Sequence, residues 1–278
     1  MSRIEEPAET PADLSADLEL ALRLADAADA VAMERFDSAD LHIDTKPDRT
    51  HVTEADLATE RAIRQILDAE RPGDAILGEE YGTSGDAASS ISRRWVIDPI
   101  DGTHNYMRGI PVWATLIALT VDGVPQVGVV SQPAIGRRWW ASTGNGAWTT
   151  TATGETRRIN VSAIDEVSAS SISFQSIEQW DDVDLVPTLE KLTRVVWRDR
   201  AYGDALPYMW LAEGRLELVA EFGVKEYDIA AIAPIVREAG GRFTAFDGSD
   251  RLDAESSLAT NGILHDAFFA LLHEGNDR

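Results

Sequence analysis

The sequence predicts an α+β fold in two lobes, and three features support this prediction. Apolar residues recur with helical spacing over residues 13–36. Residues 112–148 contain β-type segments separated by short turns, which predicts an antiparallel meander. Beyond residue 158, segments with strand and helix character alternate. We therefore expect an N-terminal lobe over residues 13–170 and a C-terminal lobe over residues 171–278.

The N-terminal lobe is expected to contain two helices ahead of the meander. Residues 1–12 carry Glu, Pro and Thr with few apolar groups, which predicts disorder. Pro47 indicates an exposed loop over residues 44–50. Thr53, followed three residues later by Asp56, predicts the start of the second helix. The strands of the meander are predicted at residues 112–121, 124–131 and 137–142.

The C-terminal lobe is expected to meet the first lobe between residues 160 and 190. Gly240 and Gly241 predict the C-terminal end of its central helix. The predicted strands span residues 170–175 and 194–198, and the predicted helices span residues 204–212, 228–239 and 263–273.

The composition of the 278-residue chain argues against several kinds of partner and chemistry. The chain carries 25 Lys and Arg residues against 48 Asp and Glu residues, a formal net charge of −23. Such a charge repels nucleic acid and anionic lipid, so we expect neither as a partner. The sequence contains no Cys, which excludes disulfides and thiolate nucleophiles. We expect a cytoplasmic protein, because we find neither a signal peptide nor an apolar segment long enough to span a membrane.

Two short acidic motifs follow apolar runs and predict a cation site. Asp98 and Asp101 end the run that begins at Trp95, and Glu79 follows the run that ends at Leu77. Carboxylates at the mouth of a buried strand are costly unless a cation lies among them. Two acidic strand ends brought together would supply the oxygen ligands that Mg²⁺ prefers.

Three further residues could take part in this site, although two have simpler explanations. Asp228 precedes an apolar run and could either join the site or cap its own helix. Asp56 is likewise explained by a helix cap after Thr53. Thr103 follows Gly102 at a predicted helix start, where backbone N–H groups suit a phosphate. The sequence leaves the alternatives for both aspartates open.

Three blocks of the sequence together resemble the inositol monophosphatase family. The blocks are Gly78-Glu79-Glu80, then Asp98-Pro99-Ile100-Asp101-Gly102-Thr103, then Asp228-Ile229-Ala230-Ala231 with Glu238-Ala239-Gly240-Gly241. The resemblance implies a layered αβαβα sandwich of the inositol monophosphatase and fructose bisphosphatase type. It also implies a homodimer that hydrolyses a small phosphate monoester with two or three Mg²⁺ ions.

The same resemblance implies roles for individual residues. The implied metal ligands are the side chains of Glu79, Asp98, Asp101 and Asp228 and the carbonyl of Ile100. Glu79, Thr103 and Asp56 are the implied catalytic residues that hold or orient water, and Lys46 is the basic residue of a mobile loop. The implied substrate-binding residues are Gly102, Thr103, Arg200, Asp204, Glu221 and Asp228.

A narrower resemblance connects the chain with the actinobacterial histidinol-phosphate phosphatases of this family. Its four segments are Asp44-Thr45-Lys46-Pro47-Asp48, Arg108-Gly109-Ile110-Pro111-Val112-Trp113-Ala114, Arg137-Arg138-Trp139-Trp140-Ala141 and Arg200-Ala201-Tyr202-Gly203-Asp204. This resemblance implies that the enzyme converts L-histidinol phosphate to L-histidinol in histidine biosynthesis.

The substrate implied by the narrower resemblance carries an ammonium and an imidazole, and both favour carboxylate partners. Asp204 and Glu221 are the candidates, although Asp204 could instead cap its own helix and Glu221 could be a strand-edge charge. Two alternative functions stay open. One is a phosphatase for inositol 1-phosphate or a related sugar or nucleotide phosphate, and the other is a metal-binding scaffold without catalysis.

Overall fold

The computed structural model describes residues 14–46, 51–85 and 93–274. Within these ranges, strands and helices form two large sheets, a two-stranded hairpin and three helical layers. The elements that precede residue 160 are α1 (Ser15–Arg35), β1 (Ile43–Thr45), β2 (His51–Thr53), α2 (Glu54–Glu70), β3 (Ala75–Gly78), β4 (Gly82–Ser84), β5 (Arg93–Asp101), α3 (Thr103–Tyr106), β6 (Ala114–Val121), β7 (Val124–Gln132), β8 (Arg137–Ser142), β9 (Ala147–Thr150) and β10 (Thr156–Ile159). The elements that follow are β11 (Ser171–Ser173), α4 (Ile177–Asp181), α5 (Val186–Val195), β12 (Arg198–Arg200), α6 (Leu206–Ala212), β13 (Leu218–Phe222), α7 (Glu226–Ile229), α8 (Ile232–Glu238), β14 (Arg242–Thr244), β15 (Ser256–Thr260) and α9 (His265–His273).

The larger sheet has eight strands in the order β10-β9-β8-β7-β6-β5-β3-β4. Strands β5 to β10 pair antiparallel with their neighbours in sequence, so the predicted meander is confirmed. Strand β3 pairs parallel with β5. The smaller sheet has five strands in the order β12-β11-β13-β15-β14, and β1 and β2 form a separate hairpin.

Three buried apolar clusters show how the layers stack. In the first cluster, Leu20 and Leu24 of α1 and Ile63 of α2 pack against one face of the eight-stranded sheet. In the second, α6 and α8 fill the space between the two sheets, with Met209 and Ile235 fully buried. In the third, α4, α5 and α9 cover the outer face of the five-stranded sheet. The succession is therefore α, β, α, β, α, as expected.

Local sequence explains where the helices of the first layer lie. The Thr53 side chain caps α2, because its hydroxyl accepts from the Ala55 N–H at 3.1 Å and its backbone N–H donates to Asp56. This reciprocal arrangement confirms the predicted helix start at Thr53. No helix in the described part of the chain is both long and apolar enough to cross a membrane.

One strand prediction in the C-terminal lobe is wrong except at its last residue. The predicted strand over residues 194–198 includes Val195 and Val196, whose β-branched side chains favour strands. Instead, Val195 ends helix α5, in which Leu189 and Leu192 are buried three residues apart, and strand β12 begins only at Arg198. Helical spacing of the buried leucines outweighs the local β propensity.

Two other expectations differ from the structure or fall outside it. The single helix expected over residues 228–239 consists of α7 and α8, which are separated by Ala230 and Ala231. Of the expected loop over residues 44–50, residues 44 and 45 belong to β1, and 47–50 lie outside the described residues. The disorder expected for residues 1–12 also falls outside them. The expected lobe boundary stays a prediction. Along the chain, the last strand of the eight-stranded sheet ends at Ile159, and the first strand of the five-stranded sheet begins at Ser171.

Candidate active site

The carboxyl ends of β3 and β5 bring the two acidic motifs together. Gly78 of β3 pairs with Ile97 of β5 in parallel register. The next residue, Glu79, donates its backbone N–H to the Ile97 carbonyl at 3.1 Å. Because parallel strands end at the same edge of a sheet, Glu79 follows β3 beside Asp98 of β5.

A register shift in β5 separates Asp98 from Asp101. Asp98 is only 2% exposed, and its Oδ1 accepts from the Ile100 N–H at 3.0 Å. Asp101 reaches toward the start of α6, where its Oδ2 accepts from the Ala205 N–H at 2.7 Å. The second motif therefore links the eight-stranded sheet to the start of α6.

Asp228 joins these acids from α7. Its Oδ2 accepts from the Lys225 N–H at 2.6 Å, and its carboxyl lies close enough to that of Asp98 for the two to repel each other when both are ionised. Burial raises the pKa of Asp228 to about 7, and the charge of Glu79 adds to the rise. Burial also raises the pKa values of Asp98 and Asp101 well above the usual range, and neighbouring acids raise both further. The capping role and the membership of the acidic site, which the sequence left open for Asp228, are compatible.

The chemistry of this cluster fits a divalent cation. Within residues 14–46, 51–85 and 93–274, no group of three or more acidic or histidine side chains already meets the geometry of a metal site. However, facing carboxyls such as those of Asp98 and Asp228 need either a shared proton or a cation between them. The Lys46 ammonium already lies against two acids, 3.0 Å from Glu79 Oε1 and 2.8 Å from Glu80 Oε1. The buried acids outnumber this lysine, so an added hard cation would offset their remaining repulsion.

The Lys46 contact depends on a turn held by an acid that sequence analysis missed. Glu60 lies fully buried on α2, and its Oε2 accepts from the Glu80 N–H at 2.8 Å. Gly78 leaves room for this carboxylate, because a Cβ there would lie 1.9 Å from Glu60 Oε1. Burial works against the charged form of Lys46, yet its contacts with Glu80 and Glu79 raise the pKa of Lys46 overall. Burial raises the pKa of Glu80 to about 7.

Asp56 serves both as a helix cap and as a partner of Thr103. Its Oδ2 accepts from the backbone N–H of Thr53 at 2.8 Å. Its Oδ1 lies 3.2 Å from the Thr103 hydroxyl, which is also 3.1 Å from the Ile100 carbonyl. Burial raises the pKa of Asp56 to about 6. The hydroxyl of Thr103 is thus fixed at the edge of the acidic cluster by two acceptors.

Asp204 is held at the site by two amide side chains. Its backbone lies in the left-handed region, with φ of 52°, and its N–H donates to Gln175 Oε1 at 2.9 Å. Its Oδ2 accepts from Asn105 Nδ2 at 2.7 Å. Gly102 is required beside it, since φ is 91° and a Cβ would lie 3.1 Å from the Asp204 carboxyl. Burial raises the pKa of Asp204 to about 6, and its side chain does not cap α6.

A cavity of about 150 Å³ extends from the metal-ligand candidates toward the C-terminal lobe. Glu221, only 4% exposed, forms part of its wall from β13, an interior strand of the five-stranded sheet. The alternative of an exposed strand-edge charge for Glu221 is therefore wrong. The residues that line the cavity are Asp101, Gln175, Gln179, Asp204, Ala205, Tyr208, Glu221, Gly223, Val224, Asp228, Ile229 and Ile232.

Arg200, a predicted substrate-binding residue, does not line this cavity. It lies exposed on edge strand β12, where its Nη1 donates to the carbonyl of Asp199 at 2.6 Å. Asn105 and Gln175, in contrast, contact Asp204 but were not anticipated. Asn105 and Asp204 are 99 positions apart, so only the folded chain shows that they meet.

Comparison with known proteins identifies the family of this site. Residues 13–276 match the sequence model of the inositol monophosphatase family. The chain belongs to the inositol monophosphatase family. Its chain trace is similar to that of the extragenic suppressor protein SuhB from Bartonella henselae, with a TM-score of 0.84, 27% identity and coverage of 94% of this chain and 99% of that one. The expected sandwich fold is confirmed.

Two relatives within the inositol monophosphatase family are similar over nearly their whole length. The histidinol-phosphatase of Mycobacterium tuberculosis is 50% identical over 256 residues, which cover 92% of this chain and 97% of the relative. The histidinol-phosphatase of Streptomyces coelicolor is 48% identical over 259 residues, with coverage of 92% and 96%. The predictions of a family member and of a phosphoric monoester hydrolase are confirmed, and the alternative of a non-catalytic scaffold is not supported.

Proposed function

We propose that this enzyme hydrolyses L-histidinol phosphate to L-histidinol and phosphate. The observation that carries the proposal is a pair of acids, the buried Glu221 and the half-buried Asp204, in the wall of the cavity that adjoins Asp101 and Asp228. A phosphate bound at the metal-ligand candidates would direct the organic part of its ester into this cavity. The names of the two relatives at 48–50% identity support the same substrate.

The charge of the cavity suits a cationic organic group. An ammonium or imidazolium brings positive charge and N–H donors, both of which stabilise ionised Asp204 and Glu221. A polyol such as inositol brings neither positive charge nor N–H groups, so the carboxyls of Asp204 and Glu221 would favour it less. In this proposal, the acids of the cavity select the organic group of the substrate, and the metal-ligand candidates serve its phosphate.

The proposed metal ligands are the carboxylates of Glu79, Asp98, Asp101 and Asp228 and the carbonyl of Ile100. Two or three Mg²⁺ ions are proposed, and Mg²⁺ supplies positive charge to the phosphate and lowers the pKa of a bound water. The fit rests on three of these carboxyls, Asp98, Asp101 and Asp228, whose pKa values are raised by burial and by the charges of neighbouring acids.

The chain itself positions the attacking water and the phosphate. The Thr103 hydroxyl, fixed between Asp56 and the Ile100 carbonyl, is placed to hold a water next to Glu79. Asp56 accepts a hydrogen bond from the Thr103 hydroxyl, which leaves the lone pairs of the Thr103 oxygen free to accept a hydrogen bond from that water. Gly102 permits a phosphate to approach the backbone closely.

The remaining parts of the proposal concern the loop, the assembly and the surroundings. Lys46 pairs with Glu79 and Glu80 in the structure, and the proposal gives it the task of screening the charge of these acids. Arg200 is retained as a candidate contact for a substrate larger than the cavity. A homodimer, which the family resemblance implies, and a cytoplasmic location, which the sequence predicts, complete the proposal.

Steady-state phosphate release tests this function. The wild-type enzyme should hydrolyse histidinol phosphate with a kcat/KM at least about tenfold above that for inositol 1-phosphate, since one charged hydrogen bond supplies that much discrimination. Release from either ester should need Mg²⁺ and stop with EDTA. A kcat/KM for histidinol phosphate no higher than that for inositol 1-phosphate would contradict the substrate assignment.

A further inference from the structure

The small cavity contains two hydrogen-bond acceptors that the described residues leave without a donor. These acceptors are Glu221 Oε1 and Gln179 Oε1, and both atoms are buried. Other parts of the wall are paired, as in the hydrogen bond from Asn105 Nδ2 to Asp204 Oδ2 at 2.7 Å. The unmet demand for donors therefore lies on Glu221 and Gln179.

The two acceptors reach the cavity from different elements. Glu221 lies on β13, and Gln179 lies on the short helix α4. Gln179 and Gly223 also line a wider groove of about 1160 Å³. Gln179 therefore lies where the small cavity meets this groove, and a ligand reaching from the acidic site toward the groove would pass its side chain.

Buried acceptors without donors are costly, and a ligand that brings N–H groups removes the cost. A protonated imidazole has two N–H groups on different sides of one small ring, and an ammonium has three. Either group could donate to Glu221 and to Gln179 together. The Gln179 amide does this without adding a negative charge to a cavity that already contains Glu221 and Asp204.

We propose that Gln179 is a specificity-determining residue whose side-chain carbonyl accepts an N–H from the nitrogen-bearing part of the substrate. Glu221 accepts a second N–H of the same group. This inference rests on the proposed function and extends it, because it assigns recognition of nitrogen to a residue that carries no charge. An ester without nitrogen gains nothing from Gln179.

The test compares Gln179→Met with the wild-type enzyme on two esters. Methionine keeps the length of the side chain and removes the acceptor. For histidinol phosphate, KM should rise about tenfold with kcat nearly unchanged, which corresponds to the loss of one hydrogen bond. For glycerol 2-phosphate, which has no N–H group, both constants should stay within about twofold. Gln65→Met makes the same chemical change at an exposed position on α2 and should alter neither ester.

A second variant separates hydrogen bonding from shape. Gln179→Glu keeps an acceptor oxygen at the same distance from the backbone, so its KM for histidinol phosphate should stay within about threefold of the wild-type value. An unchanged KM in Gln179→Met, equal losses on both esters, or equal losses in both variants would overturn the inference. Failure of the proposed function is seen earlier and separately, because wild-type enzyme would then show no preference for histidinol phosphate.

Discussion

Substitution of Asp98 by Asn should uncouple the stability of the fold from Mg²⁺. Asparagine keeps the oxygen that accepts from the Ile100 N–H at 3.0 Å, so the local turn is preserved. It removes a carboxyl that is 2% exposed and close to Glu79, Asp101 and Asp228. The variant therefore removes both a proposed metal ligand and a source of electrostatic repulsion.

The size of the effect follows from binding linkage. One cation at 100 times its Kd stabilises the wild-type fold by about 2.7 kcal/mol. For a domain of about 150–250 residues, each kcal/mol shifts Tm by about 2–4 °C, so the wild-type Tm should rise by about 5–10 °C. Without metal, the Asp98 carboxylate lowers the stability of the fold instead of raising it. Burial and neighbouring acids raise the pKa of Asp98, so its ionised form destabilises the fold at neutral pH, and the variant should be at least as stable as the wild type.

Thermal unfolding in EDTA and in saturating MgCl₂ measures both effects. Wild type and Asp68→Asn, a control at an exposed position on α2, should gain the full shift with Mg²⁺. Asp98→Asn should gain less than about a third of it, because one ligand is missing. Equal gains in all three proteins, or no gain in the wild type, would refute the assignment of Asp98 as a ligand.

Three further results are expected. Thr103→Val should lower kcat by about 10²- to 10³-fold with little change in KM, because the attacking water loses the hydroxyl that positions it. Thr103→Ser keeps this hydroxyl and should retain most of the rate. Similar rates for the two variants would exclude a water-positioning role for Thr103. Asp204→Asn should raise the KM for histidinol phosphate by about 10- to 100-fold and the KM for inositol 1-phosphate by less than about twofold. Asparagine tolerates the left-handed backbone at this position, so the fold should be kept. Equal increases in the two KM values would show that the charge of Asp204 does not recognise the substrate. In metal-free buffer, the free energy of unfolding should fall as the pH rises from 5 to 8. The pKa values of Asp56 and Asp228 are raised to about 6 and about 7, so the folded state binds more protons than the unfolded state over this interval. Urea titrations that show a rise in the free energy of unfolding would contradict those shifts.

The sequence was informative about the elements whose local pattern also determines their packing. The meander and the start of α2 at Thr53 were predicted because β alternation and a capping box are local signals. Helix α5 was missed because Val195 and Val196 resemble a strand, and the burial of Leu189 and Leu192 against neighbouring elements is a tertiary effect.

In the candidate site too, the residues with a local sequence signal were predicted and those that depend on tertiary packing were not. Glu79, Asp98 and Asp101 were found because acids directly after apolar runs are unusual, and parallel pairing of β3 with β5 explains why they meet. Glu60 was not predicted, because nothing local distinguishes it from the other charged residues of α2, although it is fully buried and accepts from the Glu80 N–H. Gln179 gave no signal at all, because its unpaired carbonyl exists only in the folded cavity.

The most direct test of the proposed cation site is anomalous diffraction from crystals soaked in Mn²⁺, a hard cation that accepts the same oxygen ligands as Mg²⁺. The account predicts anomalous peaks bounded by Glu79, Asp98, Asp101 and Asp228, and the loss of at least one peak in Asp98→Asn crystals. Peaks confined to surface carboxylates, with none among these four residues, would contradict it.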